Sequence, residues 1–181
     1  MAEVLLGLGS NLGDKEGNLR RAVECLTTPD SGASSDEAFP APARLVAASS
    51  LYRTAPVGCL DQDWFYNAAI RVETEFGARQ MLQTALAIER RLGRVRGVPN
   101  GPRLIDIDIL LWEDLVIDEP GLVIPHPRLH ERLFVLEPLA EIAAAVRHPL
   151  LGRTIAGLRA DLIHAGGVRR ERGPEWAGVL S

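Results

Sequence analysis

Lysine is all but missing from this chain: Lys15 is the only one among 20 lysine and arginine residues, a bias read chiefly as genomic. Phosphate chemistry here cannot rest on a P-loop lysine. No G-x-x-x-x-G-K-[ST] occurs, which excludes a Walker-type nucleotide site. Cysteines number two, Cys25 and Cys59, with no C-x-x-C and no histidine at zinc spacing. Reduced thiols in a cytosolic protein are the expectation, not a disulfide framework or a zinc site. No apolar run approaches membrane-spanning length. The first residues lack a basic region, and Gly7 and Ser10 interrupt their apolar run, so a strand is expected there and no signal peptide. Positive charge is not in excess either. The formal net charge of −4 gives no field to draw a nucleic-acid backbone. These absences point to a cytoplasmic protein with neither membrane nor nucleic acid as partner.

At 181 residues the chain is long enough for one substantial core. Val4 to Leu8 reads as a strand, followed by the turn-rich Gly9 to Asp14. Leu19, Ala22, Val23 and Leu26 recur at helical spacing and predict a helix over about 15–26. Residues 28–43 are small, acidic and proline-containing, as in a mobile surface loop. A second strand is expected from Leu45 to Tyr52, an irregular loop from Thr54 to Trp64, and a third strand from Asn67 to Thr74. Leu82, Ala85, Leu86, Glu89 and Leu92 predict a helix over 78–92. A fourth strand around Asp106 completes β-α-β-β-α-β, an α+β fold of ferredoxin-like pattern. Beyond it come a short strand at 115–117, a Pro125-His126-Pro127 turn, a helical turn to Arg132, and additional helices at 139–146 and 155–164. Residues 1–165 are expected as a single domain and 166–181 as a frayed tail.

Chemistry concentrates in Gly101-Pro102-Arg103-Leu104-Ile105-Asp106-Ile107-Asp108-Ile109-Leu110-Leu111-Trp112. Alternation puts Ile105, Ile107, Ile109 and Leu111 on one face and Leu104, Asp106, Asp108 and Leu110 on the other. The aspartate Cα atoms then lie roughly 7 Å apart. Such a pair can hold hard cations, since Mg²⁺ takes oxygen ligands and shares its shell with water and substrate phosphates. The alternative is the solvated face of an edge strand. Two leucines beside the carboxylates argue for partial burial, and buried carboxylates need partners. Arg94, Arg96 and Arg103 lie just upstream, with guanidinium forks suited to phosphate oxygens. Carboxylates for metal beside arginines for phosphate point to phosphoryl-type transfer.

Other constellations are weaker. Gly7-x-Gly9-x-x-x-Gly13 looks like a dinucleotide fingerprint, but the second strand ends Ser49-Ser50-Leu51-Tyr52-Arg53 without the required acid. A tight turn bringing backbone close to a ligand or neighbouring strand is the simpler reading of Gly9. His126, followed by Arg128, His130 and Arg132, forms a donor cluster fit for an anion, or else a solvated helix start. His148 and His164 read as surface positions. Phe65 and Asn67 share parity at the entry to the third strand. A ring with an amide beside it suits a flat heterocycle, although ordinary core packing of Phe65 and Phe134 explains the spacing as well.

Together these residues resemble the 6-hydroxymethyl-7,8-dihydropterin pyrophosphokinases of folate synthesis. The likeness spans about residues 4–145. It runs through Gly9-Ser10-Asn11-Leu12-Gly13, Tyr52-Arg53-Thr54-Ala55-Pro56, Asp61-Gln62 with Phe65-x-Asn67-Ala68-Ala69, and Gly93-Arg94-Val95-Arg96. It continues in Gly101-Pro102-Arg103-x-x-Asp106-x-Asp108, Pro125-His126-Pro127 with Arg132-x-Phe134, and Pro138-Leu139-x-Glu141-Ile142-Ala143. The resemblance implies that ATP gives its terminal diphosphate to the pterin hydroxymethyl group, leaving AMP. It implies two Mg²⁺ ions on Asp106 and Asp108, and Arg94 and Arg103 closing over the triphosphate as catalytic groups. Arg96, His126 and Arg132 join them as ATP ligands. Phe65 and Phe134 would sandwich the pterin, with Asn67, Gly9 and the segment Thr54, Pro56 and Val57 reading its edge. A monomer acting on small molecules is expected. Asn100 stands where many relatives carry an aromatic residue, and Pro127 where some have tyrosine.

Two rivals share the β-α-β-β-α-β order. An RNA-recognition domain needs an aromatic pattern on its third strand, and here Asn67-Ala68-Ala69-Ile70-Arg71-Val72 has no stacking pair. A small-molecule regulatory module would not need the aspartate pair.

Overall fold

The computed structural model describes residues 1–29, 41–56, 61–93 and 102–178. Its elements run β1 (Ala2–Ser10), α1 (Lys15–Thr27), β2 (Arg44–Ala48), β3 (Leu51–Thr54), β4 (Phe65–Thr74), α2 (Ala78–Arg91) and β5 (Asp106–Trp112). A small hairpin of β6 (Ile117–Glu119) and β7 (Leu122–Ile124) follows, then α3 (Leu133–Ala143), α4 (Ile155–Leu162) and β8 (Val168–Arg172). In the main sheet the order is β5-β1-β4-β3-β8, with β2 also on β4 and every pairing antiparallel. This is the expected ferredoxin-like α+β core, extended at one edge. Among the described residues no helix is long and apolar enough to cross a membrane.

Strand β1 shows how sequence divides the molecule into layers. Val4, Leu6 and Leu8 point to one face, where they pack with Leu19, Val23 and Leu26 of α1 and Met81 and Ile88 of α2. Leu5 points to the other, among Leu136 and Leu139 of α3 and Ile155 and Leu158 of α4. Further along that second face come Gly7 and Gly9, which fill no space, and there a cleft opens beyond the cover of α3. Asp14 starts α1 by accepting a hydrogen bond from the Gly17 amide at 3.0 Å, which satisfies one of the free N–H groups of its first turn.

Several expectations need correction. The strand expected over 45–52 is broken into β2 and β3 at Ser49 and Ser50, both fully buried. The Ser49 hydroxyl accepts from the Ala69 amide at 2.9 Å and donates to the Ser50 carbonyl, so a side chain replaces a ladder bond at the break. Leu111 does not share a face with Ile105, Ile107 and Ile109. Pairing of Leu6 with Ile109 and of Leu5 with Leu111 leaves Leu110 as an extra residue, a bulge that turns Leu110 and Leu111 together toward α3. The helix expected over 139–146 runs instead from Leu133 to Ala143, with Pro138 inside it. The strand expected at 115–117 is replaced by the β6–β7 hairpin. His148 is buried, not a surface residue.

The largest departure is at the C-terminus. Val168–Arg172 is no tail but an edge strand on β3, and Trp176 is fully buried with its indole donating to the Ser49 carbonyl at 2.7 Å. Charge disguised it: Arg169, Arg170, Glu171 and Arg172 read as a solvated run, yet such a run suits a strand exposed on a sheet edge.

Candidate active site

Gly7 and Gly9 of β1 form the floor of a cleft of about 460 Å³. Their register places Gly9 between Asn67 on β4 and Asp106 on β5, and Gly7 opposite Asp108. Gly9 is therefore not in a turn, as its motif implied, but within a strand, and its smallness is what matters. A Cβ there would stand 2.8 Å from Asn67 Oδ1, so any other residue would push that amide aside. Of the residues singled out from sequence, Gly9, Thr54, Pro56, Phe65, Asn67, Arg103, Asp106, Asp108, Arg132 and Phe134 all line this one cleft. Val57, Arg94, Arg96, Asn100 and Cys59 lie outside the described residues.

On the β5 flank carboxylates and guanidinium groups stand close together. Arg103 pairs with Asp106 at 2.7 Å. Burial and then the neighbouring Asp106 carboxylate push Asp108 up to about 7; Arg132 and Arg103 oppose that rise and Glu89 adds to it. Burial and Arg128 disfavour the Arg132 charge, which Asp108 and Asp106 only partly support. The same flank thus brings two carboxylates together and two guanidinium groups together, each pair set beside the other. Burial, then Arg132, lowers the affinity of His126 for a proton. Its Nδ1 accepts from the Arg128 amide at 3.1 Å, so the neutral ring carries its proton on Nε2 as a donor. His126 stands beside Arg132 and Asp106 electrostatically without being among the cleft-lining residues. His130, grouped with it in the sequence, instead meets His148 edge-on at 6.3 Å.

The β4 flank is aromatic and neutral. Asn67 donates through Nδ2 to the hydroxyl of the buried Thr54 at 2.6 Å, which fixes the amide plane. Phe65, two residues earlier on β4, lines the same wall, and Phe134 enters from α3 with the Arg132 guanidinium 5.6 Å from its ring centre.

Two supporting residues had no role assigned from sequence. Asn11, fully buried, accepts from the Arg103 amide at 2.8 Å and donates to Gln62 Oε1 at 2.8 Å and the Asp63 carbonyl at 3.1 Å. It ties the end of β1 to the approach to β5. Glu89, read only as one position in a helical repeat, is 2% exposed and accepts from the Ile107 amide at 2.8 Å, between the two aspartates. A charged residue on the apolar stripe of α2 was the signal that could have found it. Arg128, Glu131 and the stretch Ala165–Val168 also line the cleft.

Residues 5–144 match the 7,8-dihydro-6-hydroxymethylpterin-pyrophosphokinase (HPPK) family. A 2-amino-4-hydroxy-6-hydroxymethyldihydropteridine pyrophosphokinase of Methylorubrum extorquens is 48% identical over 144 residues, 79% of this chain and 84% of the relative. One of the same name from Bacillus subtilis is 43% identical over 141 residues, 78% of each. In fold, the chain is similar to a Plasmodium falciparum HPPK-DHPS crystal structure with pterin and p-hydroxybenzoate, at TM-score 0.71 and 16% identity. That likeness covers 93% of this chain and only 47% of the other. Matched over most of its length and carrying the cleft described above, the chain belongs to the 7,8-dihydro-6-hydroxymethylpterin-pyrophosphokinase family.

Proposed function

We propose that this protein transfers the terminal diphosphate of ATP to 6-hydroxymethyl-7,8-dihydropterin, releasing AMP, in folate biosynthesis. The observation that carries the reading is the glycine floor with two flanks: carboxylates and arginines on the β5 side, an amide and aromatic rings on the β4 side. Such a cleft can hold a flat heterocycle and a polyphosphate side by side. In the transfer the hydroxymethyl oxygen bonds to the β-phosphorus, the bond from that phosphorus to the oxygen bridging to the α-phosphate breaks, and AMP leaves with the electron pair. The hydroxyl proton departs as the new bond forms.

Asp106 and Asp108 are the residues that would hold two Mg²⁺ ions, and the burial and then the mutual repulsion that raise Asp108 are both relieved by a cation. Among the described residues no cluster of three or more histidine, cysteine or acidic side chains could hold a metal ion, so phosphate oxygens and water would complete each shell. Bound there, the ions supply charge neutralisation for the phosphates. Arg103 and Arg132, both half-buried, bring positive charge to the phosphoryl oxygens, and the Nε2–H of His126 offers a neutral donor beside them. Arg94 and Arg96 join this group on family likeness. Phe65 and Phe134 hold the pterin faces, while Asn67, oriented by Thr54, and the segment through Pro56 and Val57 read its edge. The reading takes the protein as a cytoplasmic monomer working on two small molecules.

Following nucleotide products by chromatography tests this. AMP should form from ATP only when Mg²⁺ and the hydroxymethyl-dihydropterin are both present. ADP as the product, or no product, would refute it.

A further inference from the structure

Residues beyond the family match, 145 onward, contribute Ala165, Gly166, Gly167 and Val168 to the same cleft as Thr54, Pro56, Phe65 and Asn67. From this placement we infer that the C-terminal segment 165–172 is a positioning element for the pterin pocket. The inference rests on the function proposed above.

Three observations carry it. First, Val168 pairs with Thr54, and just past that rung the Ala55 amide donates to the Gly167 carbonyl at 3.1 Å. The chain that reads the pterin edge is thus clamped between β4 and β8, and its hydroxyl in turn orients Asn67. Without β8, β3 would be a sheet edge of four residues with unpaired backbone groups at the cleft. Second, Gly166 has φ 66° and ψ −166°, a conformation open essentially to glycine alone, and Gly167 follows with φ 76°. Among the described residues no atom beyond the two chain neighbours lies within 4 Å of where a Gly166 Cβ would be, so crowding does not demand the glycine; the turn of the backbone into the cleft wall does. Third, the segment is anchored away from the cleft. The Arg170 Nε donates to the Ser50 hydroxyl at 2.7 Å, Arg172 meets Glu16 at 2.8 Å, and Arg20 donates to the carbonyl of the buried Trp176 at 2.9 Å. These contacts hold the wall in place while its glycines adopt the turn.

Steady-state kinetics on the full chain, varying each substrate in turn, tests the assignment with Gly166→Val and the milder Gly166→Ala. A positioning element for one substrate predicts that KM for the hydroxymethyl-dihydropterin rises about tenfold in Gly166→Val, while KM for ATP and kcat stay within about twofold. Gly166→Ala should show the same pattern, smaller, and decides the matter if the valine variant fails to fold. Equal loss on both substrates, or a fall in kcat alone, would make the segment a general support and overturn the inference. Unchanged kinetics in both variants would overturn it too. A wild-type protein that forms no AMP would fail the underlying reading and this inference together, whereas an active wild type with indifferent variants would fail the inference alone.

Discussion

Asp108→Asn should make the metal-free protein more stable while abolishing its activity, and the size of the gain should depend on pH. Burial and Asp106 lift the Asp108 carboxyl from 3.8 to about 7. Between those values the folded protein keeps a proton that the unfolded chain has released. The Asp108 contribution to stability is therefore lost as pH rises through this window, and its cost is full above pH 7. At ~1.36 kcal/mol per pH unit the full cost is on the order of 4 kcal/mol, and since the group faces an open cleft about 2–4 kcal/mol is a fair expectation. Asparagine keeps the shape and removes the charge. In chelator at pH 8 the variant should melt roughly 5–15 °C above wild type, and the gap should close toward pH 4. Adding Mg²⁺ should narrow the gap at pH 8, because only the wild type retains the carboxylate pair. Turnover should fall by several orders of magnitude, the loss expected when charge stabilisation at the phosphates is removed. Calorimetric melting across pH, with and without Mg²⁺, measures all of this. A variant no more stable than wild type at pH 8, or a gap that ignores pH, would refute the electrostatic account of the site.

Asn67→Ala should weaken binding of the dihydropterin by about 1–3 kcal/mol and leave ATP binding nearly untouched, as read by separate calorimetric titrations. If ATP affinity falls equally, the two flanks of the cleft are not independent. Arg103→Ala should lower kcat more than it raises KM for ATP, since its charge serves the phosphates as they separate; a pure KM change would make it a binding group only. His148 is buried, its proton affinity is lowered by burial and then by His130, and its Nδ1 accepts from the Leu150 and Leu151 amides at 3.3 Å. The histidine contribution to stability is thus present above about pH 6.5 and lost as pH falls through the lowered value, and His148→Asn should flatten part of that dependence in acid melts, His126 supplying the rest.

Where sequence reasoning succeeded, the residue types themselves carried the chemistry. Asp106 and Asp108 alternate with buried isoleucines, and parity alone put both carboxylates on one side. Parity also joined Phe65 to Asn67. Failures came where a tertiary contact overrides a local rule. Ser49 and Ser50 look like ordinary strand residues, and only the Ala69 amide, 20 residues away, turns the first into a break. Trp176 ends a charged, glycine-bearing stretch with no periodicity, and nothing local tells that it will bury itself against the Ser49 carbonyl 127 residues earlier. Asn11 was visible as a motif residue but its task was not, since each of its partners lies more than 50 residues away.

The bulge at Leu110 shows why these two outcomes coexist on a single strand. A slip of one residue in a β-pair sends every following side chain to the opposite face. Had the extra residue come before Asp106, the carboxylates would face α1 and α2 and the cleft would hold isoleucines. It comes after Asp108, so Asp106 and Asp108 remain opposite Gly9 and Gly7 and the alternation read from sequence holds there. Beyond it, Leu110 and Leu111 both turn to α3 and Trp112 returns to the α1 and α2 face. The bulge thereby gives one short strand two jobs: its first half presents acids to a ligand, and its second half supplies consecutive leucines to seal the layer beside them. Leu110 marks the junction, with its side chain 3.3 Å from where a Gly7 Cβ would stand, so the glycine floor of the cleft and the bulge of β5 are two halves of one packing solution.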